Sequence, residues 1–183
     1  DLIIMAKKKN SVSNYTSLLA ILLAIASACM IFCTSIVYKV SDKVDPLNFT
    51  GLQVTFGYSS TKNILEGITS AIKFEGTINY FAFSFLNLLP YILLLAGIVF
   101  AVLKVVGGKN NSKMFSFVAA VCLIAGGVLL FCVVPFSVEG TYEFLGKANP
   151  TLDKKYMSLG IGAIVGGVLG ILGGTVELAD LVL

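Results

Sequence analysis

The side chains able to do chemistry are few in this chain. All thirteen basic residues are Lys, set against ten acids, and His, Arg and Trp do not occur. Without His the usual acid/base near neutral pH and the commonest metal ligand are missing. Without Arg there is no bidentate grip on phosphate or carboxylate. A net charge of +3, scattered along the chain, does not suggest nucleic acid. The four cysteines, Cys29, Cys33, Cys122 and Cys132, form no C-x-x-C pair and have no His partners. Neither a metal site nor a cofactor is expected. Cys33 and Cys132 fall at similar depth in their segments, so a disulfide between them is possible if those segments are neighbours.

Two carboxylates stand near the end of the chain, Glu177 and Asp180. Hydrolytic chemistry would need a cleft, a second donor and usually a metal around them. Nothing nearby supplies these, so the expectation is that both reach water. Asn87 and Pro90 share one apolar segment. Proline frees a carbonyl one turn earlier, and Asn87 is expected to satisfy it or to reach a neighbouring helix. A membrane enzyme is therefore the poorest reading.

The elements that must position these residues are membrane helices. The chain is 57% hydrophobic and 13% charged, with a mean hydropathy of +0.93. Soluble domains carry about a quarter charged residues, and disorder needs low hydrophobicity. Crossing the ~30 Å apolar core of a bilayer takes about 20 apolar residues as a helix. Four stretches qualify, at about 17–38, 83–106, 115–135 and 157–176. Lys7–Lys9 and Ala26-Ser27-Ala28 resemble parts of a signal peptide, but the apolar run continues through Met30, Ile31 and Phe32, which favours an uncleaved span. The fold class expected is an all-α membrane protein: a four-transmembrane-helix bundle with a small extracellular β/α cap, forming one membrane domain over 1–183.

Lysine placement sets the orientation. Lys7–Lys9, Lys104, Lys109 and Lys113 flank the amino terminus and the short middle loop, with only Asp1 against them. The other two loops balance lysines with acids. The expected protein is a multi-pass plasma-membrane protein with both termini cytoplasmic. The cap comes from 39–82 and 136–156. Alternation over Leu52–Tyr58 predicts a strand, Ile64–Ile72 a short amphipathic helix, Phe74–Tyr80 a second strand, and Ser137–Phe144 a third.

Gly162, Gly166, Gly170 and Gly174 recur every fourth residue in the last span, and Ala20 and Ala24 make a similar small face on the first. In lipid, small faces let backbones approach and drive helix association. This face is expected to pack within the bundle, with packing between protomers as the alternative.

The segments FSFLNLLPYILLLAGIVFAVL and MSLGIGAIVGGVLGILGG resemble those of uncharacterised small four-span membrane proteins of low-GC Gram-positive bacteria. The loop plan is similar to that of claudins, but only in topology. Gln53 follows Gly51-Leu52 where claudins have Trp, and the first outer loop has no Cys pair. The resemblance implies no site residue.

Together these features point to a non-enzymatic membrane protein acting through protein–protein interaction or self-association. Its partners would be membrane lipid and either a second copy or another membrane protein. The alternative is a small transporter or channel subunit. Intramembrane polarity separates them, because conducting and proton-coupled proteins keep ionisable groups facing the bundle.

Overall fold

A computed structural model describes residues 2–41, 45–63, 75–107, 112–144 and 147–182. Among the described residues, four helices are long and apolar enough to cross a membrane: α1 (Leu2–Cys29), α3 (Phe85–Val106), α4 (Ser112–Leu130) and α6 (Ile161–Val182). They are compatible with a multi-pass membrane protein. α1 and α4 each pack against both α3 and α6, so α1 and α4 face each other across the diagonal. Large apolar side chains such as Leu22, Leu95, Phe117 and Leu172 point outward, while Ala20, Ala24, Ala101, Ala119, Ala120 and Ala163 are buried. Small residues inside and large ones outside is the pattern expected where the surroundings are as apolar as the core.

Among the described residues, the strands lie in the segments joining the helices at one end of the bundle. β1 (Thr34–Tyr38) is the centre of a sheet in the order β2-β1-β8, with β2 at Leu47–Thr50 and β8 at Met157–Leu159. Both pairings are antiparallel, and Ile36 stands opposite Phe49 on one side and Leu159 on the other. A second sheet runs β3-β4-β5, from Tyr58–Asn63, Glu75–Ala82 and Val138–Glu139. β6 (Thr141–Phe144) and β7 (Lys147–Pro150) pair as a hairpin. Between α4 and β5 lies the short α5, Val133–Phe136. An aromatic cluster joins the two sheets. Phe49 meets Phe81 edge-on at 4.9 Å between centroids, and Tyr58 stacks on Tyr80 at 5.8 Å. Such pairs add about 0.5–1.5 kcal/mol each beyond the area they bury.

Several boundaries differ from the expectations, each for a physical reason. The first apolar run is not one span: the helix ends at Cys29, a 3-10 turn covers Met30–Phe32, and Thr34–Tyr38 is strand. Ile36, at the centre of the β2-β1-β8 sheet, is fully enclosed, so apolar residues here serve burial within the protein. The third run breaks at Leu130, and the fourth begins as strand β8 before the helix starts at Ile161. The strand expected over Leu52–Tyr58 is a helix, α2 (Gly51–Phe56), followed by β3. Thr50 decides this. Its side chain accepts from the Gln53 backbone N–H at 3.3 Å, while the Gln53 side chain accepts from the Thr50 N–H at 2.9 Å. This reciprocal capping box outweighs the alternation. Gly57, at φ 91°, then turns the chain out of the helix in a conformation that favours glycine. β4 occupies the region expected as the second strand, and the third is divided by Gly140 into β5 and β6. The helix expected over Ile64–Ile72 lies outside the described residues.

Candidate functional site: an ionic cluster shared by four helices

At the end of the bundle opposite the strands, the four long helices converge on one set of polar side chains. α3 supplies Lys104, α4 Ser116, α6 Glu177 and Asp180, and α1 Thr16. The Lys104 Nζ lies 2.9 Å from Glu177 Oε2 and 2.5 Å from Asp180 Oδ2. It also donates to Ser116 Oγ at 3.2 Å. The Ser116 hydroxyl is within reach of both Glu177 Oε2, at 2.7 Å, and the Glu177 carbonyl, at 3.1 Å. Thr16 Oγ1 donates to Asp180 Oδ1 at 3.0 Å. The side chains of Lys104, Glu177 and Asp180 are 3%, 0% and 8% exposed.

Each helix brings its polar residue there by continuing its own buried face. On α3 the buried positions run Leu94, Gly97, Ala101, Lys104. On α4, Ser116 leads into Ala119, Ala120 and Leu123. On α6, Glu177 follows the glycine face at the spacing that places Gly170, Gly173, Gly174 and Glu177 on one side. Lys104 is two residues from the end of α3 and Glu177 five from the end of α6, so the cluster is within roughly 8 Å of the bundle's end.

This corrects two expectations. Glu177 and Asp180 do not reach water; they enclose a lysine. Lys104 is not a loop-facing charge either, since only 7% of the residue is exposed. Buried ionisable groups survive when paired and hydrogen-bonded. One atom fails that condition: Glu177 Oε1 is buried and has no hydrogen-bond partner.

The polar residue singled out in the second span behaves differently. Asn87 is 1% exposed, and neither Oδ1 nor Nδ2 has a partner. It neither satisfies the carbonyl freed by Pro90 nor bonds another helix. The local cap is Ser84, whose Oγ accepts from the Asn87 N–H at 3.3 Å and donates to the Phe136 carbonyl at 2.6 Å. About 25 Å of α3 separates Asn87 from Lys104. Leu94, Leu123 and Leu130, each 0% exposed, fill the core between them.

The glycines of α6 lie in close helix contacts within the chain. A Cβ placed on Gly170 would fall 3.0 Å from Gly127 Cα and 3.2 Å from Leu94 Cδ2. On Gly166 it would fall 3.1 Å from both Leu130 and Met30, and on Gly174 2.8 Å from the Ala120 carbonyl. Gly162 faces Cys33 at the start of the strand region, and the Ala20 carbonyl faces Gly173 across α1 and α6. Ala24 is fully buried beside it. All four cysteines are free thiols. Cys33 and Cys132 lie outside the long helices, just before β1 and at the cap of α5, and are not bridged.

On the strand-bearing end, a cleft of about 430 Å³ opens beside the second sheet. Phe56 and Phe83, each about half exposed and 6.3 Å apart between ring centroids, form one wall. Ser59, Asn79, Glu139 and Thr141 supply polar atoms on the other. Comparison with known proteins finds no matching family model, no matching curated sequence and no matching solved structure.

Proposed function

We propose that this is a non-enzymatic plasma-membrane protein with cytoplasmic termini. It acts through contacts made by an extracellular cap with another membrane protein or with a second copy. The observation that carries this reading is the contrast between the two polar regions. The bundle is closed along its axis by Leu94, Leu123 and Leu130, whereas the cap presents an open cleft with exposed phenyl rings beside amide, hydroxyl and carboxylate groups. Exposed aromatic residues ringed by polar groups mark contact sites on proteins. The claudin-like order of loops fits a surface role, and no claudin residue is carried over.

The test is site-specific photo-crosslinking in intact cells. A photoreactive residue at Asn79 or Phe83 should trap a discrete adduct, while one at the outward-facing Leu95 should not. Single cysteines at Ser59 and Ser112, in a background lacking the native four, fix the sidedness: an impermeant reagent should label Ser59 only. Absence of adducts at both cap positions, or labelling at Ser112 alone, would end this reading.

A second reading, a small transporter or channel subunit, is favoured by one observation: ionisable residues do face the bundle, at Lys104, Glu177 and Asp180. Ion flux into vesicles containing the purified protein tests it. Flux no greater than in empty vesicles would exclude it.

A further inference from the structure

We propose that a groove between α1 and α3, at the end of the bundle opposite the strands, holds one acyl chain of an anionic phospholipid whose phosphate is met by Lys7–Lys9, a role that requires the four helices to cross a bilayer but does not depend on the cap reading. Packing makes the groove. Small residues let helices approach in lipid, and both of these helices turn theirs elsewhere. α1 has no glycine, and its Ala20 and Ala24 lie against Gly173 of α6. The one glycine of α3, Gly97, lies against Ala119 and Leu123 of α4. The seam between α1 and α3 is left to branched and aromatic side chains. It opens into a groove of about 300 Å³, lined by Tyr15, Leu18 and Ile21 on one side and Val102, Val105 and Val106 on the other. Val106 is the last residue of α3, and Tyr15 and Val106 are 71% and 78% exposed, so the groove runs out at the end of the bundle.

An apolar groove alone would take any lipid tail; the part of α1 that continues past it selects the headgroup. At spacings of three and four, one stripe of that helix runs from Ile21 through Leu18 to Tyr15 and Asn14, then Ser11, then Lys8 and Lys7. The order is apolar, then hydroxyl and amide, then cationic. A phospholipid has the same order, from acyl chain through ester groups to phosphate. The lengths agree as well. The apolar span of α1 begins at Tyr15. Ser11 and Lys8 stand roughly 6 Å and 10 Å further along the axis, and the headgroup layer of a bilayer is roughly 5–8 Å deep. Ser11 thus falls within that layer and Lys8 at its outer edge. Charge at this end favours an anion. No acid occurs over residues 2–41 or 105–113, while Lys109 and Lys113 flank the short loop after α3. Glu177 and Asp180 of α6 are held on Lys104 inside the bundle.

Native mass spectrometry of the full chain in mild detergent tests this, with phosphatidylglycerol and phosphatidylcholine of identical acyl chains as probes. One phosphatidylglycerol adduct should saturate at a concentration roughly 10-fold below that needed for phosphatidylcholine, since each lysine beside an anionic headgroup strengthens binding roughly fivefold. Replacing Lys7, Lys8 and Lys9 together by Gln should bring the two lipids level and leave the adduct itself. Val105→Phe fills the groove from its exposed side and should remove the single adduct of either lipid; if that variant does not fold, Leu18→Phe serves, from the opposite wall. Three results overturn the proposal. Equal uptake of the two lipids, or adducts that accumulate without saturating at one, would mean ordinary annular lipid. Unchanged binding in the lysine or the groove variants would place the lipid elsewhere. Loss of a dimer in Val105→Phe, with lipid adducts unchanged, would make the occupant a second copy of the chain.

Discussion

Removing the ammonium should be the most damaging single change in the bundle. Lys104→Met keeps an unbranched apolar stem of nearly the same length and deletes the ammonium. The Nζ contacts to Glu177, Asp180 and Ser116 go with it. Summing three charge-assisted hydrogen bonds at about 1.5–3 kcal/mol each would overshoot, because the carboxylates were desolvated to make them. The better guide is the cost of stranding a buried charge by removing its partner, about 3–5 kcal/mol. The lower end applies here, since the cluster is only one to two turns from the bundle's end and opening there can admit water. About 3 kcal/mol is expected. Lys104→Met combined with Glu177→Gln and Asp180→Asn should recover most of the loss, because no charge is then stranded. Reversible unfolding in mixed micelles of increasing SDS fraction, followed by far-UV circular dichroism, measures both. A loss below about 1 kcal/mol for Lys104→Met is what an exposed ion pair gives and would refute the claim that these groups are desolvated.

Two further outcomes are expected. Gly170→Leu should cost about 1–3 kcal/mol, as overpacking does, since even a Cβ would press on Gly127 at 3.0 Å; the monomer itself should lose stability in the same SDS titration, whereas Val168→Leu, on the outward face, should change little. Thr50→Ala should cost about 1 kcal/mol by removing the α2 cap, read as faster hydrogen exchange confined to Gly51–Phe56; unchanged exchange there would mean that tertiary contacts alone hold the helix.

The bundle was legible because membrane helices announce themselves by length and apolarity alone. The ends of those helices were not, because apolar runs do not say whether they meet lipid or a cap. Ile36, Val37 and Tyr38 extend the apolar run yet lie between two strands, and one of those partners, Met157–Leu159, is far away in sequence. Leu52–Tyr58 misled in another way: its alternation imitates a strand, while Thr50 and Gln53 carried the true signal three residues apart. The ionic cluster leaves a trace in the sequence. Thr16 with Ala20 and Ala24, Lys104 with Gly97 and Ala101, and Glu177 with Gly170 and Gly174 each extend a small-residue face at helical spacing. A charge continuing a face meant for close contact has to be buried with a partner. Which lysine meets which acid depends on helix adjacency, and periodicity does not encode that.

The pairing of Lys104 with residues of α6 also has a consequence for biogenesis. During synthesis, the segment around Lys104 reaches the membrane well before Glu177 and Asp180 have been made. Lys104 sits two residues from the end of α3, and in a bilayer a long basic side chain so near a helix end would extend to the headgroup region. The same late segment carries β8, which completes the sheet begun by β1. Residues 157–180 therefore close both ends of the molecule at once. A chain stalled after α4 would hold three inserted helices, an edge strand at β1 and an unmatched lysine.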